Sequence, residues 1–233
     1  MHCCKTGIDM NDDKKVKSAL KDIYLRLSET YGPQHWWPAE SPFEVMVGAI
    51  LTQSAAWTNV EKAINNLKSA HLLSPPAIRN MSFSELAEHI KPSGYYNVKT
   101  RKLKALVYWL GENYTDDIDR MAEIETDKMR QKLLGVYGIG PETADSILLY
   151  ALGKPVFVID AYTLRIFARI GLIEEGESYN NCQRLFTANL KTDTALFNEY
   201  HALIVKLAKE ACSKKPACGR CCLSQICRHG GKI

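Results

Sequence analysis

The segment 133–160, LLGVYGIGPETADSILLYALGKPVFVID, constrains the fold of this chain more than any other. It reads as a helix, a tight Gly-Ile-Gly turn, a second helix and a short apolar run that ends in a carboxylate. Gly138 and Gly140 supply the permissive backbone a tight turn needs. Pro141 stands at N1 of the next helix, where its missing N–H costs nothing. Bare amides behind glycines at a helix start favour an anion such as a phosphate. Asp160 follows the run Val156-Phe157-Val158-Ile159 and is then a carboxylate held near a bound phosphate backbone. The combination points to chemistry on nucleic acid.

Helical signals dominate the remainder. Val16, Leu20, Ile23, Tyr24 and Leu27 keep helical spacing. Ser41-Pro42-Phe43-Glu44 reads as a capping box with Pro at N1, opening an apolar helix to Leu51, and Ser82-Phe83-Ser84-Glu85 as a second box opening a short helix to Ile90. Val98, Leu103, Leu106, Val107 and Leu110 predict another helix, and Leu196, Tyr200, Leu203, Ile204 and Leu207 a late one. Val156–Ile159 is the one strand-like run and is too short to build a sheet, so the expected class is all-α. Ser74-Pro75-Pro76 and the stretch 111–119 read as breaks between elements. A domain boundary near Gly153-Lys154-Pro155 places Asp160 beside an interdomain cleft. Residues 1 to about 10, with Cys3 and Cys4, read as a disordered tail.

A chain of 233 residues suffices for one large or two small domains. No apolar run approaches the roughly 20 residues that span a bilayer, and the amino terminus has no signal-peptide core. The expectation is an intracellular protein of cytoplasm or nucleoid, with reduced thiols and no disulfide framework among its eight cysteines. The net charge of +4 is too mild to establish nucleic-acid binding by itself. Its distribution says more: Lys91, Lys99, Arg101, Lys102 and Lys104 occur with no acid across 91–110, and seven Lys/Arg face the single Glu210 across 206–233. Two such patches on one face would follow a phosphate backbone, whereas ordinary solvated helix faces would look the same in sequence.

Cys212, Cys218, Cys221 and Cys227 lie within sixteen residues, spaced C-x5-C-x2-C-x5-C. Four thiolates on so short a loop suit a compact centre, either tetrahedral zinc or a [4Fe–4S] cube. Cys222, beside a ligand, reads as a bystander.

Hairpin, Gly/Pro-rich link, Asp160 and four-cysteine loop, in this order, resemble the endonuclease III superfamily of DNA glycosylases from about Ser41 to Cys227. Leu51-Thr52-Gln53-Ser54 is similar to the segment whose Gln enters the space vacated by an extruded base. Gly94-Tyr95-Tyr96-Asn97-Val98-Lys99 resembles the loop that wedges the opposite strand, with Tyr95 at the wedge. The resemblance implies two helical domains, 36–153 with the hairpin and 11–35 plus 154–233 with the cysteine loop. It also implies a monomer on damaged double-stranded DNA, contacts from Gln53, Tyr95, Lys99, Gly138, Gly140 and Thr143, and a [4Fe–4S] cluster in preference to zinc. Two departures stand out. The first cysteine interval is x5 where the superfamily usually has x6, and Glu142 occupies the position at which bifunctional members carry a Schiff-base lysine.

The expected enzyme is therefore a monofunctional base-excision DNA N-glycosylase. Asp160 would stabilise the oxocarbenium-like transition state and orient the attacking water. Trp57, four residues after Gln53, resembles the 3-methyladenine glycosylase group that lacks the lysine. With Trp36, Trp37 and Glu142 it forms the expected base pocket, and the expected substrate is an alkylated purine, whose cationic ring favours aromatic faces. Two alternatives stay open: a same-fold glycosylase/AP lyase for oxidised, deaminated or mismatched bases, with Lys154 as a replacement amine, and a non-catalytic DNA-binding iron–sulfur protein.

Overall fold

The computed structural model describes residues 13–230. The tail expected at residues 1–10, with Cys3 and Cys4, lies outside them. Among the described residues every regular element is helical and none is a strand. The chain opens on α1 (Asp13–Tyr31), continues through α2 (Pro42–Leu51), α3 (Trp57–Ser69), α4 (Pro75–Asn80), α5 (Phe83–His89), α6 (Tyr96–Tyr114), α7 (Asp119–Glu123), α8 (Thr126–Leu134) and α9 (Pro141–Ser146), and ends with α10 (Ala161–Ile170), α11 (Tyr179–Asn189) and α12 (Thr194–Glu210). It divides into two compact units, one running from Trp37 to Lys154 and the other built from the chain up to Trp36 together with Pro155 onward.

In the unit 37–154, α2 is the central helix, with every residue from Phe43 to Leu51 buried and with α3, α6 and α9 packed around it. A helix buried on all sides cannot be amphipathic, and its sequence is almost entirely apolar. Its start is capped on one side only. Ser41 accepts from Glu44 N, but Glu44 does not return the bond to Ser41; its Oε2 accepts from Glu40 N at 3.0 Å and its Oε1 pairs with Lys68 Nζ at 2.8 Å. Burial of Glu44 makes that lysine partner necessary. The second expected box is complete, with Ser82 and Glu85 each accepting the other's backbone N–H.

Both expected breaks are partly helical, the chain between α6 and α7 being interrupted only at 115–118. Ser74 caps α4 and Pro75 opens it, so the Ser-Pro-Pro run starts a helix. Gly111 lies inside α6, where a Cβ would stand 2.6 Å from Arg79 Nη2. The glycine makes room for that guanidinium, which donates to Val107 O and pairs with Asp116.

In the other unit, α12 packs against α1 and α10, and α11 packs against α1. The Tyr200 hydroxyl donates to Leu20 O at 2.9 Å from a fully buried position. The run Val156–Ile159 is buried but forms no strand. Side chains of α11 serve its backbone instead: Gln183 donates to Phe157 O at 2.8 Å and the Tyr179 hydroxyl accepts from Ile159 N at 3.4 Å. Phe157 stacks on Phe186 with centroids 3.8 Å apart.

Candidate active site

The hairpin forms between α8 and α9. Buried Leu133, Val136, Ile139 and Ala144 hold its inner face, and Arg130 of α8 makes a two-point ion pair with Asp145 of α9, at 2.7 and 3.0 Å. Gly138 has φ +85, and a Cβ there would fall 2.3 Å from Lys102 Cγ, so both backbone and space demand glycine. Gly140 differs. Its φ of −94 suits any residue, and a Cβ would meet nothing within 4 Å. The turn itself does not require it; a side chain there would occupy open space in front of α9. The second hairpin helix then widens into a π turn, Ile147–Ala151, which helical periodicity in the sequence does not reveal.

Beside the hairpin, Gln53, Ser54, Tyr95, Lys102, Glu142 and Thr143 line a cavity of about 360 Å³. Gln53 Nε2 donates to Gly138 O at 3.1 Å and to Thr143 Oγ1 at 2.9 Å, and Lys102 Nζ donates to Gln53 Oε1. Thr143 is largely buried, and its hydroxyl oxygen accepts from Gln53 while the residue still lines this cavity. Tyr95 is 72% exposed and stands at φ +47, following Gly94 at φ +68. An exposed aromatic on left-handed backbone costs about 1 kcal/mol or more, and such strain clusters at functional positions.

Lys99, expected to contact DNA, has its ammonium turned to backbone carbonyls. It is 2% exposed, and its ammonium donates to Leu51 O at 2.8 Å and Ser93 O at 2.7 Å, tying the end of α2 to the loop before α6. Half-buried Lys104 likewise donates to Ile78 O and Arg79 O, whereas Lys91 and Arg101 of the same basic run are exposed. Burial, and secondarily the charge of Lys102, pushes the Lys99 ammonium down to about 8. Between pH ~8 and ~10.4 the unfolded chain therefore binds more protons than the folded one, and stability rises with pH across that window by about 3 kcal/mol. Urea denaturation of wild type and Lys99→Met at pH 7 and 10 checks this. The wild-type advantage should widen at pH 10; a constant difference would mean that the Lys99 ammonium is as well solvated as in the unfolded chain.

Of the four expected base-pocket residues, Trp57 and Glu142 line different cavities. Trp37 and Trp57 meet edge to face, centroids 5.3 Å apart at 84°, and Trp37 also meets Tyr150 at 5.3 Å. Trp57 lines a second cavity with Pro38, Glu44 and Lys68, whereas Glu142 lines the cavity of Gln53. Trp36 belongs to the other unit, where Lys209 Nζ stands 5.9 Å over its ring. The Lys154 ammonium donates to Ala122 O at 3.0 Å.

In that other unit Asp160 is the N-cap of α10. Its Oδ1 accepts from Thr163 N at 2.7 Å and Thr163 Oγ1 at 2.9 Å, and its Oδ2 faces His201 Nε2 at 3.6 Å. The side chain is 13% exposed. Burial pushes the carboxyl up, but the bonding and charge of His201 and the two Thr163 bonds outweigh it, so the net shift is downward and Asp160 is ionised at neutral pH. Sequence reading missed His201, although a lone histidine next to buried Tyr200 in an apolar helix signals a polar partner. It also missed the pairing of Lys102 with Gln53; the visible signal was Lys102 one helical turn beyond Lys99.

Cys212, Cys218, Cys221 and Cys227 are all free thiols. Arg165 and Arg169 of α10 gather their loop. Arg165 donates twice to Cys212 O, and Arg169 donates to Cys212 Sγ at 3.2 Å and to Ser213 O at 2.6 Å, while the Cys227 thiol donates to Arg169 O at 3.3 Å. The donor chemistry suits a thiolate-bound centre, with a guanidinium N–H already on one sulfur. Among the described residues no group of three or more Cys, His, Asp or Glu is placed so as to hold a metal ion. No helix among the described residues is long and apolar enough to cross a membrane.

Comparison with known proteins agrees with this architecture. The chain is 47% identical over 207 residues to a candidate DNA repair glycosylase of Methanocaldococcus jannaschii, covering 88% of this chain and 94% of that protein. It superposes on the H. pylori 3-methyladenine DNA glycosylase MagIII bound to 1,N6-ethenoadenine with a TM-score of 0.71 and 30% identity, over 85% of this chain and 98% of that one. A non-covalent endonuclease III–DNA complex shares the fold, with a TM-score of 0.81 at 21% identity over 93% and 97% of the two chains. Residues 47–192 match the family described as HhH-GPD superfamily base excision DNA repair protein. With a family match over more than half of the chain and a relative at 47% identity, the chain belongs to the HhH-GPD superfamily of base excision DNA repair proteins.

Proposed function

We propose that the protein is a monofunctional DNA N-glycosylase that hydrolyses the glycosidic bond of a flipped, alkylated purine in double-stranded DNA. The observation that carries this reading is a pair of carboxylates. Asp160 is held ionised at the start of α10. Glu142, in the first turn of α9, takes the position of the Schiff-base lysine in the bifunctional superfamily members it resembles. A carboxylate cannot form a Schiff base at sugar C1′, so in this reading water is the acceptor. The C1′–N bond breaks with its electron pair leaving on the base, positive charge grows on the sugar beside Asp160, and the water oxygen bonds to C1′ and sheds a proton. A ring-alkylated purine is already cationic and departs neutral. Its attraction to electron-rich rings is supported by the Trp37–Trp57–Tyr150 cluster and by the likeness to a 3-methyladenine DNA glycosylase.

In the same reading Gly138 and the open position at Gly140 let the phosphate backbone approach, Tyr95 wedges the opposite strand, and the exposed Lys214, Lys215 and Arg220 supply positive charge. Cys212, Cys218, Cys221 and Cys227 would hold a [4Fe–4S] cluster that staples this basic loop, with zinc as the rival metal. Iron and sulfide analysis separates the two.

Duplexes carrying single lesions, scored with and without hot alkali, test the function. Strand breaks should appear at 3-methyladenine-type lesions only after alkali, and borohydride should trap no protein–DNA adduct. A trapped adduct, or breaks without alkali, would overturn the monofunctional assignment. Release of oxidised or mismatched bases in preference to alkylated ones would overturn the substrate.

A further inference from the structure

Gln53 has its whole carboxamide committed. Both N–H groups are donated, to Gly138 O and Thr143 Oγ1, and the oxygen accepts from the Lys102 ammonium. A glutamine so held is not poised to move into a duplex. Two of its partners belong to the hairpin itself; only Lys102 is a long side chain free to take another partner. The Lys102 stem lies across Gly138, whose absent side chain is what admits it, and its ammonium is half-buried in the cavity that Tyr95 and Glu142 also line. A phosphate oxygen competes with the neutral amide oxygen for this ammonium, because opposite charges add Coulomb attraction to a hydrogen bond that is already charge-assisted.

We infer that Lys102 is a backbone-phosphate ligand which the DNA-free protein parks on Gln53, so that phosphate capture beside the hairpin releases the glutamine. This rests on the DNA-binding part of the function proposed above. Loss of Lys102 leaves Gln53 Oε1 without its donor at the moment the duplex arrives, and an unpaired base edge supplies the replacement. Grip on the backbone thus removes one of the three bonds that hold Gln53, and its entry exchanges the two remaining Nε2 bonds. Glu142, a carboxylate in the same cavity, keeps anions from its own side and confines the phosphate to the Gly138 face.

The test uses an undamaged duplex, so that no step of base excision enters. Binding is measured against salt for wild type, Lys102→Met and Lys102→Arg, with the side-chain amide signals of Gln53 followed by NMR. Each phosphate contact contributes about 0.9 to the slope of log K against log salt. The Met variant, which keeps the methylene packing over Gly138, should lose about 0.9 of slope, and the Arg variant should restore it. In wild type the Gln53 amide signals should shift on duplex addition; in Lys102→Met the free protein should already show them displaced. An unchanged slope in Lys102→Met overturns the phosphate contact, and Gln53 signals that stay still in wild type overturn the release. A wild-type protein that binds no duplex at all would sink the DNA reading itself and this inference with it, an outcome distinct from both.

Discussion

Asp160→Asn lowers the single-turnover rate of base excision by about a thousandfold and leaves the fold intact. The magnitude comes from charge. A carboxylate about 4 Å from a developing sugar cation, at an effective dielectric of about 20, is worth roughly 4 kcal/mol, which corresponds to about three powers of ten in rate. Asparagine keeps what the helix needs, because its side-chain oxygen can accept from Thr163 N and Oγ1 as Oδ1 of Asp160 does, and Asn and Asp are comparable N-caps. What it removes is the negative charge facing His201. The folded carboxyl titrates below its usual range, so its contribution to stability is complete above the unfolded value and is lost as pH falls through the folded one. At pH 7 the asparagine variant forgoes that contribution, and its unfolding midpoint should drop slightly. Asp160→Ala loses the cap as well, at a further cost of about 1 kcal/mol. Rates that fall equally little in both variants would reduce Asp160 to a helix cap. A large loss in both, with stability falling further only in the alanine variant, assigns the chemistry to the charge.

The sequence exposes those parts of the site that depend on local rules. Gly138 at positive φ, Pro141 at N1 and Asp160 at an N-cap are backbone requirements, and each is visible as a residue type at a position. What stays hidden is how polar side chains are spent over long separations. Lys99 and Lys104 look like surface charge in a basic run, yet both cap carbonyls at the ends of other helices. Gly111 and the Ser-Pro-Pro run look like breaks, because glycine and proline interrupt regular structure in general. Only the position of Arg79 explains the first, and only the Ser74 cap explains the second. The tryptophans show the same limit: spacing brings Trp57 close to Gln53 in sequence, but Trp57 and Glu142 line different cavities.

Arg130→Met destabilises the hairpin unit by about 3–5 kcal/mol, because it strands a buried carboxylate. Asp145 has no side-chain exposure, and Arg130 meets both of its oxygens from the facing helix. The methionine fills most of the arginine's volume but offers no donor, so the cost is desolvation of an ion that no longer has its counter-charge. In a protein of this size the midpoint should fall by on the order of 10 °C. Asp145→Asn introduced into Arg130→Met should recover part of that loss, since neutralising the carboxylate removes the unpaired charge. The same change made alone in the wild type should be costly, for it weakens an intact pair. This reversal of sign distinguishes a coupled ion pair from two independently packed side chains, for which the losses would add. The pair spans the Gly138–Gly140 turn, so its loss also frees α8 and α9 to shift against each other. Duplex affinity of Arg130→Met, measured well below its melting point, should therefore fall even though Arg130 contacts no DNA in the proposed reading. Unchanged affinity in a measurably destabilised protein would show that the apolar contacts of Leu133, Val136, Ile139 and Ala144 are enough to keep the turn in its binding geometry.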